Sequence, residues 1–133
     1  MNVVETSVFT RMHRQSIRER ILTIAAEDLA RSSVTDLEIG HSARNAAEWD
    51  ENAEMLGAFT ELQLSHDVVD RARQVQRLLA ERGLRGRKVP DLLIAATAEL
   101  ADASVLHYDK DFEIIASVTG QQHDWVVPAG SVD

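Results

Sequence analysis

Short runs of β-branched and aliphatic residues alternate along this chain with longer segments of helical period. That alternation restricts the fold more than any other feature. Asn2–Val8 reads as a buried strand rich in Val and Thr. A helix follows over Gln15–Glu27, with Ile17, Ile21, Ile24 and Ala25 on one face. Leu29–Val34 is a second strand, and Thr35-Asp36-Leu37-Glu38 has the form of a capping box that opens the next helix. Ala46–Phe59 is helical by propensity with an acidic outer face, and Leu62–Ser65 is a third strand. Asp67–Arg82 is amphipathic, with Val68, Ala72, Val75, Leu78 and Leu79 recurring near the helical period. Gly83 and Gly86 end it in a basic loop, and Pro90 sits where a helix start tolerates proline. Asp91–Ala101 is apolar nearly all round, as a central helix is. Ser104–Tyr108 reads as a strand, Asp109–Ala116 as a short helix and Trp125–Val127 as a last strand. Strands separated by helices pair in parallel and are covered on both faces, so the expected fold is α/β, one domain over residues 1–133.

The chain contains no cysteine, which excludes a disulfide framework, a thiolate nucleophile and a cysteine zinc site. No apolar run approaches the roughly 18 residues that span a bilayer. The opening residues lack the pattern of a secretory signal, so a cytoplasmic location is expected. Net charge is −8, which does not by itself suggest a nucleic-acid partner. The distribution is more informative than the sum. Half of the 14 basic residues lie between positions 71 and 88, and Arg11, Arg14, Arg18 and Arg20 form a second group. The plain reading of such segregation is solvated helix faces; the functional one is a path for a polyanion.

In open parallel sheets, sites form beyond the carboxyl ends of the strands. Glu5, Glu38, Asp91 and Asp109 fall at such places, with Asp111 two residues further on. Carboxylates gathered in one cleft repel one another unless a cation sits among them, and Mg2+ or Mn2+ takes oxygen ligands. A cation so held activates water and stabilises charge on a phosphoryl group, which implies metal-assisted phosphodiester hydrolysis. Taken singly, Glu38 can complete a capping box, Asp91 can answer a helix dipole and Asp109 can cap a helix. Glu5, between Val4 and Val8 in an expected strand, has no helix to cap and needs a partner. The histidines show no zinc spacing. His41 follows Glu38 by one turn, and His107 alternates within a strand as a packing residue does.

Three stretches, Val3–Val8 (VVETSV), Ser33–Arg44 (SVTDLEIGHSAR) and Val89–Gln121 (VPDLLIAATAELADASVLHYDKDFEIIASVTGQ), together resemble the VapC-type PIN-domain ribonuclease toxins. The resemblance implies a three-layer α/β/α domain with a central parallel sheet. It implies a Mg2+- or Mn2+-dependent endoribonuclease, the toxin of a type II toxin–antitoxin pair, acting on RNA and neutralised by a VapB-like antitoxin. Homodimers and toxin–antitoxin hetero-oligomers that bind operator DNA through the antitoxin are implied as well. Carried over by position, the family's second, third and fourth acids are Glu38, Asp91 and Asp109. Asp111 matches an assisting acid, and Ser7 the hydroxyl that supports the first acid. The first acid is Glu5 where the family has Asp, a difference of one methylene. Two other readings stand beside this one: a PIN-like binding module impaired by Glu5, and a metal phosphoesterase acting on DNA or a small phosphate ester.

Overall fold

Val3 and Val4 are neighbours in the chain, yet both are fully buried. Successive side chains of a strand point to opposite faces, so this requires a sheet covered on both sides. The computed structural model, which describes residues 1–133, has that arrangement. Its strands are β1 (Asn2–Val4), β2 (Leu29–Ser32), β3 (Thr60–Leu62), β4 (Ser104–His107) and β5 (His123–Trp125). They form one five-stranded sheet in the order β3-β2-β1-β4-β5. Every pairing is parallel. The helices are α1 (Thr6–Phe9), α2 (Gln15–Leu22), α3 (Ser33–His41), α4 (Ala46–Leu56), α5 (His66–Glu81), α6 (Val89–Leu100) and α7 (Lys110–Thr119).

Two cores result, one on each face of the sheet. Val3, Ala30 and Val105 face α5, α6 and α7, where Val75, Leu79, Ile94, Ala98 and Ile115 fill the layer. Val4, Leu29 and Leu106 face the other way, against Val8, Ile17, Ile39 and Leu56. The fold is thus the expected three-layer α/β/α domain. Helix α6 lies between α5, α7 and β4, which accounts for its composition: Leu92 and every residue from Ile94 to Ala98 are buried. No helix is long and apolar enough to cross a membrane.

Several element boundaries differ from those expected, each for a local reason. The first strand stops at Val4, and Glu5 caps the short helix α1 by accepting from the backbone N–H of Ser7 at 3.0 Å. Glu5 therefore does have a helix to cap. Helix α3 begins three residues earlier than the sequence suggests. Ser32, at the end of β2, accepts from Val34 N–H, and Thr35 is fully buried inside the first turn. Helix α2 ends at Leu22, so Ile24 lies in the following turn. Strand β3 falls two residues before the expected segment, and α7 runs on to Thr119. Gly120, at φ 71°, then takes the left-handed cap that lets the chain turn into β5. Arg31 of β2 clamps this half of the fold. It pairs with both oxygens of Asp36 (2.7 and 3.1 Å) and donates to the carbonyls of Leu56 and Phe59.

The strand order reverses at β1, with β2 and β3 on one side and β4 and β5 on the other. A crevice opens beyond the carboxyl ends of strands at such a reversal. Glu5 leaves β1 directly into that crevice, and Tyr108 and Asp109 leave β4 beside it.

Candidate metal centre

Each acid reaches the crevice by a simple structural device. Asp109 is the N-cap of α7 and accepts from Asp111 N–H at 2.9 Å, which places Asp111 in the first turn on the same side. Pro90 is the second residue of α6, so Asp91 lies in its first turn and is buried at 4% exposure. Asp91, Asp109 and Asp111 each present an oxygen within 4.8 Å of the others.

Glu5 and Glu38 border this triad. Ser7 holds Glu5 through both its backbone N–H and its hydroxyl. Thr6 donates its hydroxyl to Glu38 Oε1 at 2.6 Å, and that oxygen of Thr6 also meets the Thr35 hydroxyl at 3.0 Å. The charges are close enough to disturb one another. Burial pushes Glu5 up to about 8 despite the two Ser7 hydrogen bonds, and Asp91 and Asp109 push it further. Burial, then Asp109, Asp111 and Glu38, pushes Asp91 up to about 7, with Lys88 opposing. All five acids named from the sequence thus lie at one end of the sheet, the three aspartates closest together.

The same residues fit a hard divalent cation. Asp91 Oδ2 is buried and has no hydrogen-bond partner, a costly state for a carboxylate oxygen. The donor set is all oxygen, as Mg2+ and Mn2+ require. The one internal cation in contact is Arg87, which donates to Asp111 Oδ1 at 2.8 Å. It leaves Asp91 unpaired.

Four contributors are not evident from the sequence. Thr6 and Thr35 anchor Glu38, but hydroxyls in an apolar run carry no periodic signal. Arg87 belongs to the basic loop, and nothing in its spacing singles it out for Asp111. His107 is fully buried between the rings of Phe112, His123 and Trp125. Its Nδ1 accepts the backbone N–H of Asp109 at 3.2 Å, so the ring proton resides on Nε2, which donates to His123 Nδ1 at 2.9 Å. Burial and His123 hold its pKa down to about 4, against the pull of Asp109. His41 is exposed and lines a shallow groove with Val34, Leu37, Glu38 and Pro90.

The PIN domain family model matches residues 3–118, a span that includes all five acids. The chain belongs to the PIN-domain family. The PIN domain here is similar to ribonuclease VapC51 of Mycobacterium tuberculosis, with 48% identity over 98% of this chain and 96% of the relative. Ribonuclease VapC18 of the same organism is 36% identical over 97% of each chain. These identities make it a VapC-type PIN domain. Among solved structures, FitAcB from Neisseria gonorrhoeae superposes with a TM-score of 0.79 at 18% identity, covering 95% of this chain and 98% of that one. VapBC2 from Rickettsia felis, bound to a DNA fragment from its promoter, gives 0.79 at 16% identity and covers 93% and 98%. At such identities the likeness concerns the fold alone.

Proposed function

We propose that this PIN domain is a metal-dependent endoribonuclease and the toxin of a type II toxin–antitoxin pair. One observation carries the catalytic part: Asp91, buried with an unpartnered oxygen, stands among four other acids at the reversal of a parallel sheet. Asp91, Asp109 and Asp111 would hold Mg2+ or Mn2+, with Glu5 and Glu38 completing the acidic wall. When bound, such a cation supplies Lewis acidity toward a phosphodiester oxygen and eases deprotonation of water. The protein's own groups do the rest. Ser7 fixes Glu5, and its hydroxyl also accepts Tyr108 N–H at 2.8 Å, tying β1 to β4 across the crevice. Thr6 fixes Glu38 through Oε1, which leaves Oε2 as the oxygen that would accept a proton from water. The ribonuclease names of the relatives support RNA as substrate. The direct test is cleavage of matched single-stranded RNA, structured RNA and DNA with Mn2+, Mg2+ or EDTA. Cleavage of RNA alone, and only with metal, is expected; preferential cleavage of DNA would favour the phosphoesterase reading. The binding-module reading rests on Glu5, and it gains if the protein is silent until Glu5→Asp restores turnover.

The basic loop before α6 supplies a rim for the RNA. Arg85 and Lys88 are exposed there, whereas Arg87 is committed to Asp111. Replacing Arg85 and Lys88 with Ala is expected to weaken RNA binding and to flatten its salt dependence by about 0.7 in slope per lost contact. Filter binding across a salt series checks this, and an unchanged slope would reduce both charges to solvated side chains.

An antitoxin is the proposed protein partner, in keeping with the toxin–antitoxin complexes among the structural neighbours. Its seat follows from what α2 leaves exposed. Ile17 and Ile21 are buried in the domain's own core, so they are poor probes of a surface. The open apolar groove between α2 and α4 is lined by Met12, Ile21, Leu22, Met55 and Phe59, with Leu22 83% exposed. An apolar antitoxin segment fits there, and a basic residue beyond it would reach the acids. Leu22→Glu and Met55→Glu are each expected to weaken the complex on the order of 10–100-fold, measured by titration of the co-expressed partner. Undiminished affinity in both would exclude the groove. A homodimer and larger toxin–antitoxin oligomers are proposed on the same footing.

A further inference from the structure

The segment Pro128–Asp133 returns to the crevice and ends against two arginines of the turn after α1. Arg11 Nε donates to the Asp133 carbonyl at 2.7 Å, and Arg14 Nη2 pairs with the Asp133 carboxylate. Tyr108 pins the preceding residue from both sides: its hydroxyl donates to Val132 O at 2.7 Å and accepts Val132 N–H at 3.1 Å. Arg11 is itself positioned. Its Nη1 donates to Ser7 O at 2.9 Å, and its guanidinium lies 4.8 Å from the centre of the Tyr108 ring. Ser7 is the residue that holds Glu5, and Tyr108 immediately precedes Asp109. The two arginines therefore flank the acids next to α1, away from the basic loop that flanks them next to α6.

Their present partner satisfies them only in part. Arg14 Nε is buried and has no acceptor, so Asp133 engages one arm of a fork that can bind an oxyanion through two. The Asp133 side chain is 90% exposed and that of Arg14 40%. Ion pairs so open to solvent are weak and easily exchanged. A phosphate has more oxygens than a carboxylate and can engage the fork in two places.

We propose that Arg11 and Arg14 form a phosphate-binding subsite for the RNA strand, and that Asp133 occupies it as an internal stand-in that the substrate displaces. The proposal rests on the ribonuclease reading and adds to it a binding register and a built-in competitor. The strand would cross the acids with one phosphate at Arg85 and Lys88 and another at Arg11 and Arg14.

The test is fluorescence anisotropy with a labelled single-stranded RNA oligonucleotide, in EDTA so that no strand is cut. Arg11→Gln with Arg14→Gln is expected to weaken binding roughly tenfold at low salt and to lower the salt slope by about 1.4, that is about 0.7 per contact on a single strand. Removing the competitor has the opposite sign. Asp133→Asn, and separately Tyr108→Phe, which keeps the ring under Arg11 but frees Val132, are each expected to tighten binding about two- to fivefold, the range in which exposed ion pairs bias an equilibrium. Arg77→Gln, at an exposed arginine of α5, controls for general charge and should change little. Because Arg11→Gln can disturb Ser7, Arg14→Gln and Asp133→Asn alone carry the decision. Weakening by the first with tightening by the second supports the subsite. An Arg14→Gln effect no larger than that of Arg77→Gln, or weaker binding by Asp133→Asn, overturns it while the ribonuclease reading stands. Absence of RNA binding by the unmodified protein would remove the RNA reading, and the subsite with it.

Discussion

Asp91→Asn is expected to abolish RNA cleavage, by about a thousandfold or more, while making the metal-free protein more stable. The two effects have one cause. Asp91 is the most central acid, coupled to Asp109, Asp111 and Glu38, and it is the only side chain of the group whose buried oxygen lacks a partner. With a cation present, its charge is a ligand, and loss of a catalytic metal interaction costs several kcal/mol of transition-state stabilisation, or about three powers of ten in rate. Without a cation, the same charge is buried beside like charges, and a neutral amide removes the repulsion and can donate to a neighbouring carboxylate. Steady-state cleavage assays and thermal melts in EDTA check the pair of outcomes. A residue that merely filled the core would lower stability when replaced and leave residual turnover proportional to folded protein.

The second large effect concerns pH and metal together. Glu5 rises from an ordinary 4.5 to about 8 in the folded chain, and Asp91 from 3.8 to about 7. Folded carboxyls of this kind keep protons that the unfolded chain has already lost, so stability falls as pH rises between the unfolded and folded values. The metal-free protein is therefore expected to lose stability from about pH 4 to pH 8, on the order of several kcal/mol from these two buried groups. A divalent cation replaces those protons, so its binding should tighten and its stabilising effect should grow over the same interval. Melting temperatures with EDTA and with Mn2+ at pH 5.5, 7 and 8.5 decide the matter in about six measurements. Curves that stay parallel across the interval would mean that the cation does not bind at Glu5 and Asp91.

Much of the fold is legible in the chain because burial leaves periodic traces. The alternation of Val3 with Val4, and of Val105 with Leu106, reflects two covered faces, and the unbroken apolar face of α6 reflects its place between two helices and the sheet. The position of Asp91 is readable too, since Pro90 marks the helix start. Short-range competition is harder to read. In Ser32-Ser33-Val34-Thr35, three residues can cap a helix, and the choice of Ser32 depends on where β2 stops and on the burial of Thr35 against Thr6. A four-residue helix such as α1 has no period to detect, so the role of Glu5 as its cap is visible only once β1 has ended. Ile21 and Ile24 look alike on a helical wheel, yet α2 ends between them. The contacts that turn separate acids into one site, Thr6 to Glu38, Ser7 to Tyr108 and Arg87 to Asp111, join distant segments and have no local signature.

The most direct measurement is cleavage-site mapping on end-labelled RNA by the unmodified protein and by Asp91→Asn, each in EDTA and after addition of Mn2+. Discrete cuts by the unmodified protein with Mn2+, and none in the other three reactions, are the predicted result. Cuts at the same positions that persist in EDTA, or in Asp91→Asn with Mn2+, would contradict a catalytic metal centre built on these acids.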